Sequence, residues 1–263
     1  MLDAATRSKI VLDIEDVYRT RKQLPLLTRT YENIEVEDSY RIQEEFIARR
    51  VQQGIPVRGY KIGLTSKTMQ ELVNSKEPDF SAITEDLFFD ENNPIEASRF
   101  ITPFAEMEIA FVLNNRLEGP GILPVDVIRA TDFVLPAIEI CDFRVAYNPA
   151  MTIVDTVADL AACGGVILGA NPRTLDQLEL GKVKGAVYRD SVKETEGEAS
   201  AVLGHPINAV AWLANKLAQF GVALDAGQTI LSGSFVRAFP MRPGEQICCS
   251  FDQGLGDVMA SIV

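Results

Sequence analysis

The chain holds one histidine, His205, among 263 residues, and that scarcity removes whole classes of chemistry. Zinc centres built from His and Cys, and Ser-His-Asp or Cys-His catalysis, need more imidazole geometry than one residue supplies. His205 itself precedes Pro206 at what reads as a helix start, a place suited to a cap. Cys141, Cys163, Cys248 and Cys249 show no C-x-x-C spacing and sit in apolar segments, as reduced packing residues do. No apolar run approaches the roughly 18 residues that span a bilayer. The N-terminus, M-L-D-A-A-T-R-S-K-I, lacks a signal-peptide pattern, so a cytoplasmic location is expected, away from the membrane. Basic clusters are missing too, and a formal net charge of −12 argues against a nucleic-acid partner. Nor is there a G-x-G-x-x-G loop; G-L-G-D near the C-terminus is flanked like a hairpin, so a nucleotide cofactor has no support.

What is present is an ordinary globular balance, 47% hydrophobic and 24% charged, with enough chain to bury a sizeable core. Residues 1 to about 55 carry two helical stripes, Ile10, Ile14, Val17 and Tyr18, then Ile42, Phe46, Ile47 and Val51, with Gly54 as a stop. V-R-G-Y-K-I-G-L-T (57–65) alternates as a strand, 67–75 reads as a short helix, and E-P-D-F (77–80) as a turn. Strands are expected at 104–113, 131–141, 163–168, 182–188, 228–232, 246–251 and 257–263, with one strong helix over about 206–220. The segment K-E-T-E-G-E-A-S (193–200) reads as a polar turn. Many strands with few intervening helices predict an α+β protein rather than a doubly wound sheet. The expected division is 1–80, a helical region with a lysine-bearing strand, and 81–263, a mixed β catalytic domain.

The stretch F-A-E-M-E-I-A-F-V-L (104–113) is apolar except for Glu106 and Glu108, which alternation places on one face. A solvated strand face is one reading. A second apolar strand, however, D-F-V-L-P-A-I-E-I-C-D-F, carries Glu139 on a face with Leu135 and Ala137. Two unit charges about 4 Å apart repel by about 4 kcal/mol at an effective dielectric near 20, and a divalent cation reverses that sign. Oxygen donors without His or Cys suit Mg²⁺ or Mn²⁺ rather than zinc. Lys61 stands between Gly59 and Gly63, which share its strand face. Such a lysine either snorkels to solvent or loses solvation, which lowers its pKa and makes it usable in proton transfer. Asp79 reads by itself as a turn aspartate.

Together these residues resemble the fumarylacetoacetate hydrolase superfamily, in its branch of 2-hydroxydienoate hydratases and 4-oxalocrotonate decarboxylases. The likeness follows nearly the whole chain in order: E-D-S-Y-R-I-Q (37–43), G-Y-K-I-G-L-T-S (59–66), E-P-D-F, E-M-E-I-A-F-V-L, D-F-V-L-P-A-I-E (132–139), D-T-V-A-D (155–159), G-H-P-I-N-A-V-A-W-L-A (204–214) and a terminal G-x-G hairpin. The resemblance implies a mixed β-sandwich roll preceded by a helical N-terminal region, in a homo-oligomer that can associate with a pathway enzyme. It implies Glu106, Glu108 and Glu139 as ligands of Mg²⁺ or Mn²⁺, with Lys61 and Asp79 in acid–base positions. Where the branch typically has Asn after the second Asp of D-T-x-x-D, this chain has Leu160. G-S-F-V-R-A-F-P (233–240) and K-I-G-L-T-S-K-T-M-Q (61–70) are similar to the hydratases acting on 2-oxohept-4-ene-1,7-dioate. On that likeness Ser234 would hydrogen-bond a substrate carboxylate, and Arg237 would pair with a distal one unless it is simply a surface arginine. The expected activity is metal-dependent addition of water to a 2-hydroxy-2,4-dienoate or its 2-oxo tautomer. Decarboxylation of a vinylogous 2-oxo diacid is the runner-up, followed by C–C hydrolysis of an acylpyruvate. A non-catalytic partner subunit is the contrasting class.

Overall fold

The computed structural model describes residues 1–263. Its N-terminal region holds α1 (Ala4–Thr20), α2 (Leu27–Thr30) and α3 (Val36–Gln52). Asp3 starts α1 by accepting a hydrogen bond from the Thr6 amide at 2.7 Å. Because that cap is exposed, Asp3→Ala should cost only about 1 kcal/mol, a fall in melting temperature of about 2–4 °C by calorimetry. The two apolar stripes meet as expected: Ile10, Val11 and Ile14 pack with Ile42 and Phe46. They do so over Val145, Met151, Ala158 and Leu160. Val51 is the exception, half-exposed at the end of its helix.

Twelve strands follow in chain order: β1 (Val57–Gly63), β2 (Asp79–Thr84), β3 (Phe88–Phe89), β4 (Phe104–Leu113), β5 (Thr131–Cys141), β6 (Cys163–Leu168), β7 (Lys184–Arg189), β8 (Val192–Glu198), β9 (Thr229–Leu231), β10 (Phe239–Pro240), β11 (Gln246–Phe251) and β12 (Gly256–Ser261). Four more helices intervene: α4 (Lys67–Leu72), α5 (Pro124–Ala130), α6 (Ile153–Ala158) and α7 (Pro206–Leu217). The larger sheet runs β2-β1-β9-β4-β5-β6-β3, with β10 beside β4, and the smaller runs β12-β11-β7-β8. β1 pairs parallel with β9 while β4 and β5 pair antiparallel over their whole length, so the large sheet is mixed. The expected boundary after residue 80 falls inside β2, and strands from both sides of it share this sheet.

Alternation along β4 divides the two faces. Met107, Ile109 and Phe111 point into the main core, which they share with Val187, Ile247, Cys249 and Val258 of the smaller sheet. The intervening positions face inward, where Ala110, Ala137, Val166, Leu231, Ile83 and Cys163 form a small floor. This mixed helix-and-sheet architecture is the α+β fold expected from the sequence.

Two local expectations are corrected. The K-E-T-E-G-E segment is not a turn but most of β8, paired antiparallel with β7. Its charges stay solvated, as between Lys193 and Glu196, while its backbone completes the sheet. Residues 77–80 are only partly a turn, because Asp79 already belongs to β2 and is buried. Helix α7 begins as read, with His205 Nδ1 accepting from the Ile207 amide at 3.2 Å.

Candidate metal and acid–base site

The β4–β5 register sets Glu106 directly opposite Glu139 and Glu108 opposite Ala137. The two facing carboxylates and Glu108, two pairs further along, therefore share the inner face. Lys61 lies on β1, separated from β5 by β9 and β4. Three strand spacings of about 4.8 Å would keep these strands far apart in a flat sheet. Instead Lys61 Nζ is 3.1 Å from Glu139 Oε1, so the sheet curls until β1 faces β5.

The same ammonium donates to the Ala161 carbonyl at 2.7 Å. That carbonyl belongs to a turn in which Leu160, Ala161 and Ala162 have φ of 55°, 48° and 58°. A left-handed conformation costs roughly 1–2 kcal/mol for each L-residue, so three in succession must be held by their surroundings. Asp79 faces Gly63 across the β1–β2 ladder. A Cβ at Gly63 would lie 2.2 Å from Asp79 Oδ1 and 3.2 Å from Lys61 Nζ, so the missing side chain makes room for both. Gly59 has a different purpose: a Cβ there would lie 2.0 Å from the Thr229 carbonyl oxygen, and its absence admits the β9 backbone. Thr156 on α6 reaches Asp79 Oδ2 at 3.5 Å. Glu108 Oε2 accepts from the Gly233 amide at 2.7 Å. Gly233 has φ of 106°, a conformation that L side chains rarely adopt, and a Cβ there would lie 2.4 Å from Thr65.

The electrostatics follow from burial and proximity. Burial, reinforced by Glu139, pushes the Glu106 carboxyl up to about 7 against a smaller opposing effect of Lys61. Burial, then Glu139 and Glu106, holds Glu108 well above the usual carboxylate range. Asp79 is raised by burial, with Lys61 opposing. For Lys61 the expectation of a lowered pKa is reversed. Burial does pull it down, but Glu139, Cys141, Asp79 and Glu106 together outweigh that and leave it well above its ordinary value. The ammonium is an anchored charge here, because carboxylates surround it.

Three buried carboxylate oxygens, Asp79 Oδ1, Glu108 Oε1 and Glu139 Oε2, have no hydrogen-bond partner. Unpartnered ionised oxygens away from water are costly, and a hard cation satisfies them. The donor set therefore fits a divalent ion of the magnesium kind. Cys141 enters unannounced: its Sγ and one oxygen each of Glu106 and Glu139 lie within 4.8 Å of one another. The thiol donates to Glu139 Oε1 at 3.7 Å, and burial followed by Glu106 and Glu139 raises its pKa well above the usual range, which keeps it a thiol. Its spacing of two from Glu139 in a strand was the signal that places it on this face.

Ser234 and Arg237 stand on the loop after Gly233. The Ser234 hydroxyl donates to its own loop, to the Val236 carbonyl at 2.9 Å. Arg237 is exposed and makes no ion pair. The structure thus brings Lys61, Asp79, Glu106, Glu108 and Glu139 together, and it leaves Arg237 at the surface. Thr156, the Ala161 carbonyl and the Gly233 amide complete the arrangement, and no side-chain pattern in the sequence announces the last two.

No family model matches the chain. It is 42% identical over 250 residues to 2-oxo-hept-4-ene-1,7-dioate hydratase of Escherichia coli, covering 93% of this chain and 94% of that protein. Among solved structures it is similar to 4-oxalocrotonate decarboxylase from Pseudomonas putida G7, complexed with magnesium and adipate. That likeness has a TM-score of 0.96 and 29% identity, covering 100% of this chain and 99% of that one. The fold alone recurs, with a TM-score of 0.59 and 13% identity over 80% of this chain and 94% of the other. That match is to a protein from Yersinia pestis CO92 described as of the fumarylacetoacetate hydrolase family.

Proposed function

The chain belongs to the fumarylacetoacetate hydrolase superfamily, in the branch of hydratases and 4-oxalocrotonate decarboxylases, and we propose that it is a divalent-metal-dependent hydro-lyase of 2-oxo-enoates. The substrate class is a 2-hydroxy-2,4-dienoate or its 2-oxo tautomer, with 2-oxohept-4-ene-1,7-dioate as the first candidate in view of the 42% identity to the Escherichia coli hydratase. The observation that carries the reading is that Glu106, Glu108 and Glu139 share one sheet face, with a buried oxygen of Glu108 and of Glu139 left unpartnered and the Lys61 ammonium 3.1 Å from Glu139.

Glu106, Glu108 and Glu139 would hold Mg²⁺ or Mn²⁺, which when bound supplies Lewis acidity toward the C1 carboxylate and C2 oxygen of a 2-oxo acid. Lys61 and Asp79 handle the proton. For the 4-enoate, a proton leaves C3 and one arrives at C5, which moves the double bond into conjugation with the C2 ketone. Lys61, charged and fixed by two acceptors, is placed to donate; Asp79, raised by burial and with Oδ1 free, is placed to exchange protons beside it. Water then adds OH at C4 and H at C3 to give a 4-hydroxy-2-oxo acid. Arg237, exposed and unpaired, is available for the distal carboxylate of a dioate, and Ser234 for a carboxylate once its hydroxyl leaves the Val236 carbonyl. The reading makes the protein a cytoplasmic homo-oligomer; no helix is long and apolar enough to cross a membrane.

Decarboxylation is the second reading, favoured by the TM-score of 0.96 to the Pseudomonas putida decarboxylase. The same polarised ketone is an electron sink for CO₂ loss, so products decide. The purified protein alone, with Mg²⁺ or Mn²⁺, is offered five-carbon and seven-carbon dienoates and a vinylogous 2-oxo diacid. Hydrated 4-hydroxy-2-oxo product without CO₂ is the expected result. Stoichiometric CO₂ would replace hydration by decarboxylation, and no turnover on any substrate would point to a non-catalytic subunit.

A further inference from the structure

We infer that the buried Arg144–Asp159 pair is a positioning device for Lys61, holding the Leu160–Ala162 turn left-handed so that the Ala161 carbonyl fixes the ammonium. The inference rests on the reading of Lys61 as the proton carrier.

Arg144 is the largest fully buried side chain of the molecule, at 1% exposure, and it lies outside the carboxylate cluster. Its guanidinium grips the turn from both ends. Nε meets Asp159 Oδ1, Nη2 donates to the Asp159 carbonyl at 2.8 Å, and Nη1 donates to the Cys163 carbonyl at 2.9 Å. One planar group thus spans the chain immediately before and after the three left-handed residues. Asp159 is tied down in turn, since its Oδ2 accepts from the backbone amides of Arg144 at 2.7 Å and Val145 at 3.0 Å. The guanidinium also lies 5.3 Å from the ring centroid of Tyr18, which links the clamp to α1.

A buried ion pair is a poor choice if stability alone is wanted, because apolar replacements of similar volume often do as well. What an arginine adds is a rigid fork that holds several acceptors at set angles, which a lysine cannot copy. Here that fork maintains a backbone conformation its own residues disfavour. The product of the strain is one carbonyl aimed at Lys61. Glu139 supplies the charge partner for the ammonium and the turn supplies the second acceptor, so Nζ, already tethered to β1, is confined far more narrowly than by Glu139 alone.

The test compares Arg144→Lys and Asp159→Asn with the metal-loaded wild type. Both variants should lose about 30-fold or more in kcat with KM changed by less than about 3-fold, as for a misplaced proton carrier. Adding Ala161→Gly and Ala162→Gly to Arg144→Lys should recover at least about 5-fold of kcat, because glycine enters the left-handed region without a clamp. A crystal structure of Arg144→Lys should show Ala161 out of that region and its contact with Lys61 broken. Wild-type kcat in both variants, or a loss that the glycines leave untouched, overturns the inference. So does failure of Asp159→Asn to fold together with failure of Arg144→Lys to fold even with the glycines, which would make the pair purely structural. If the wild type turns over no substrate, the catalytic reading of Lys61 has failed, and the crystal structure still decides whether the clamp shapes the turn.

Discussion

Glu108→Gln is expected to lower kcat/KM by about 10³-fold or more while raising the melting temperature of the metal-free protein near neutral pH. The two effects have opposite signs for one reason. Glu108 is buried, one oxygen is held by the Gly233 amide at 2.7 Å, and the other has no partner. Burial and the neighbouring Glu139 and Glu106 make its charge costly in the folded state. Glutamine keeps the shape and the acceptor for Gly233 but brings no charge, so the apo fold need neither bear a buried carboxylate nor take up a proton to neutralise it. It also removes an anionic oxygen from the proposed cation site, so the Lewis acid is weakly held. Calorimetry with and without Mg²⁺, beside turnover of the dienoate, reads both effects. A variant that binds Mg²⁺ and turns over like wild type would remove Glu108 from the ligand set.

The metal-free protein is expected to lose stability as the pH rises from about 5 to about 8, and added Mg²⁺ is expected to cancel that loss increasingly toward the upper end. Glu106 is raised to about 7 in the folded state, chiefly by burial and then by Glu139. Between its unfolded value and 7 the folded protein binds more protons than the unfolded one, so unfolding free energy falls with pH across that window. Glu108 and Asp79 are raised as well and act in the same direction. Lys61 does not oppose the trend there: a raised lysine contributes stability that is complete below its unfolded pKa and is lost only at more alkaline pH. Glu106 alone amounts to roughly 2–3 kcal/mol at one unit per 1.36 kcal/mol, a fall of about 5–10 °C in a chain of this size. Mg²⁺ binds the ionised carboxylates and releases their protons, so its stabilisation grows with pH. A metal-free melting temperature that rises over this range would contradict the raised carboxylates.

Much of the architecture was legible because it depends on local periodicity. The stripes through Ile10 and Ile14 and through Ile42 and Phe46 are helical faces that pack on each other. Alternation along residues 104–113 sends Met107, Ile109 and Phe111 into the core and Glu106 and Glu108 to the other face. A spacing of two or of three and four needs no knowledge of the rest of the chain, and neither does the hard character of a donor set without histidine. The polar run 193–200 misled for the same reason: its composition is that of a turn, and only pairing with β7 makes it a strand.

The sequence by itself determined which face each carboxylate takes and what kind of cation such donors suit. The tertiary structure alone decided what that face meets. The curl of the large sheet carries Lys61 across two strands to Glu139, and that contact, rather than burial, sets the lysine's charge. It also draws in the Cys141 thiol and shows that Gly59 yields to a neighbouring backbone while Gly63 yields to Asp79. Three L-residues in a left-handed turn could not be read from Leu160, Ala161 and Ala162, whose own preference is the opposite one. They hold that shape because a guanidinium grips the chain on either side, and a grip between distant residues leaves no trace in local pattern.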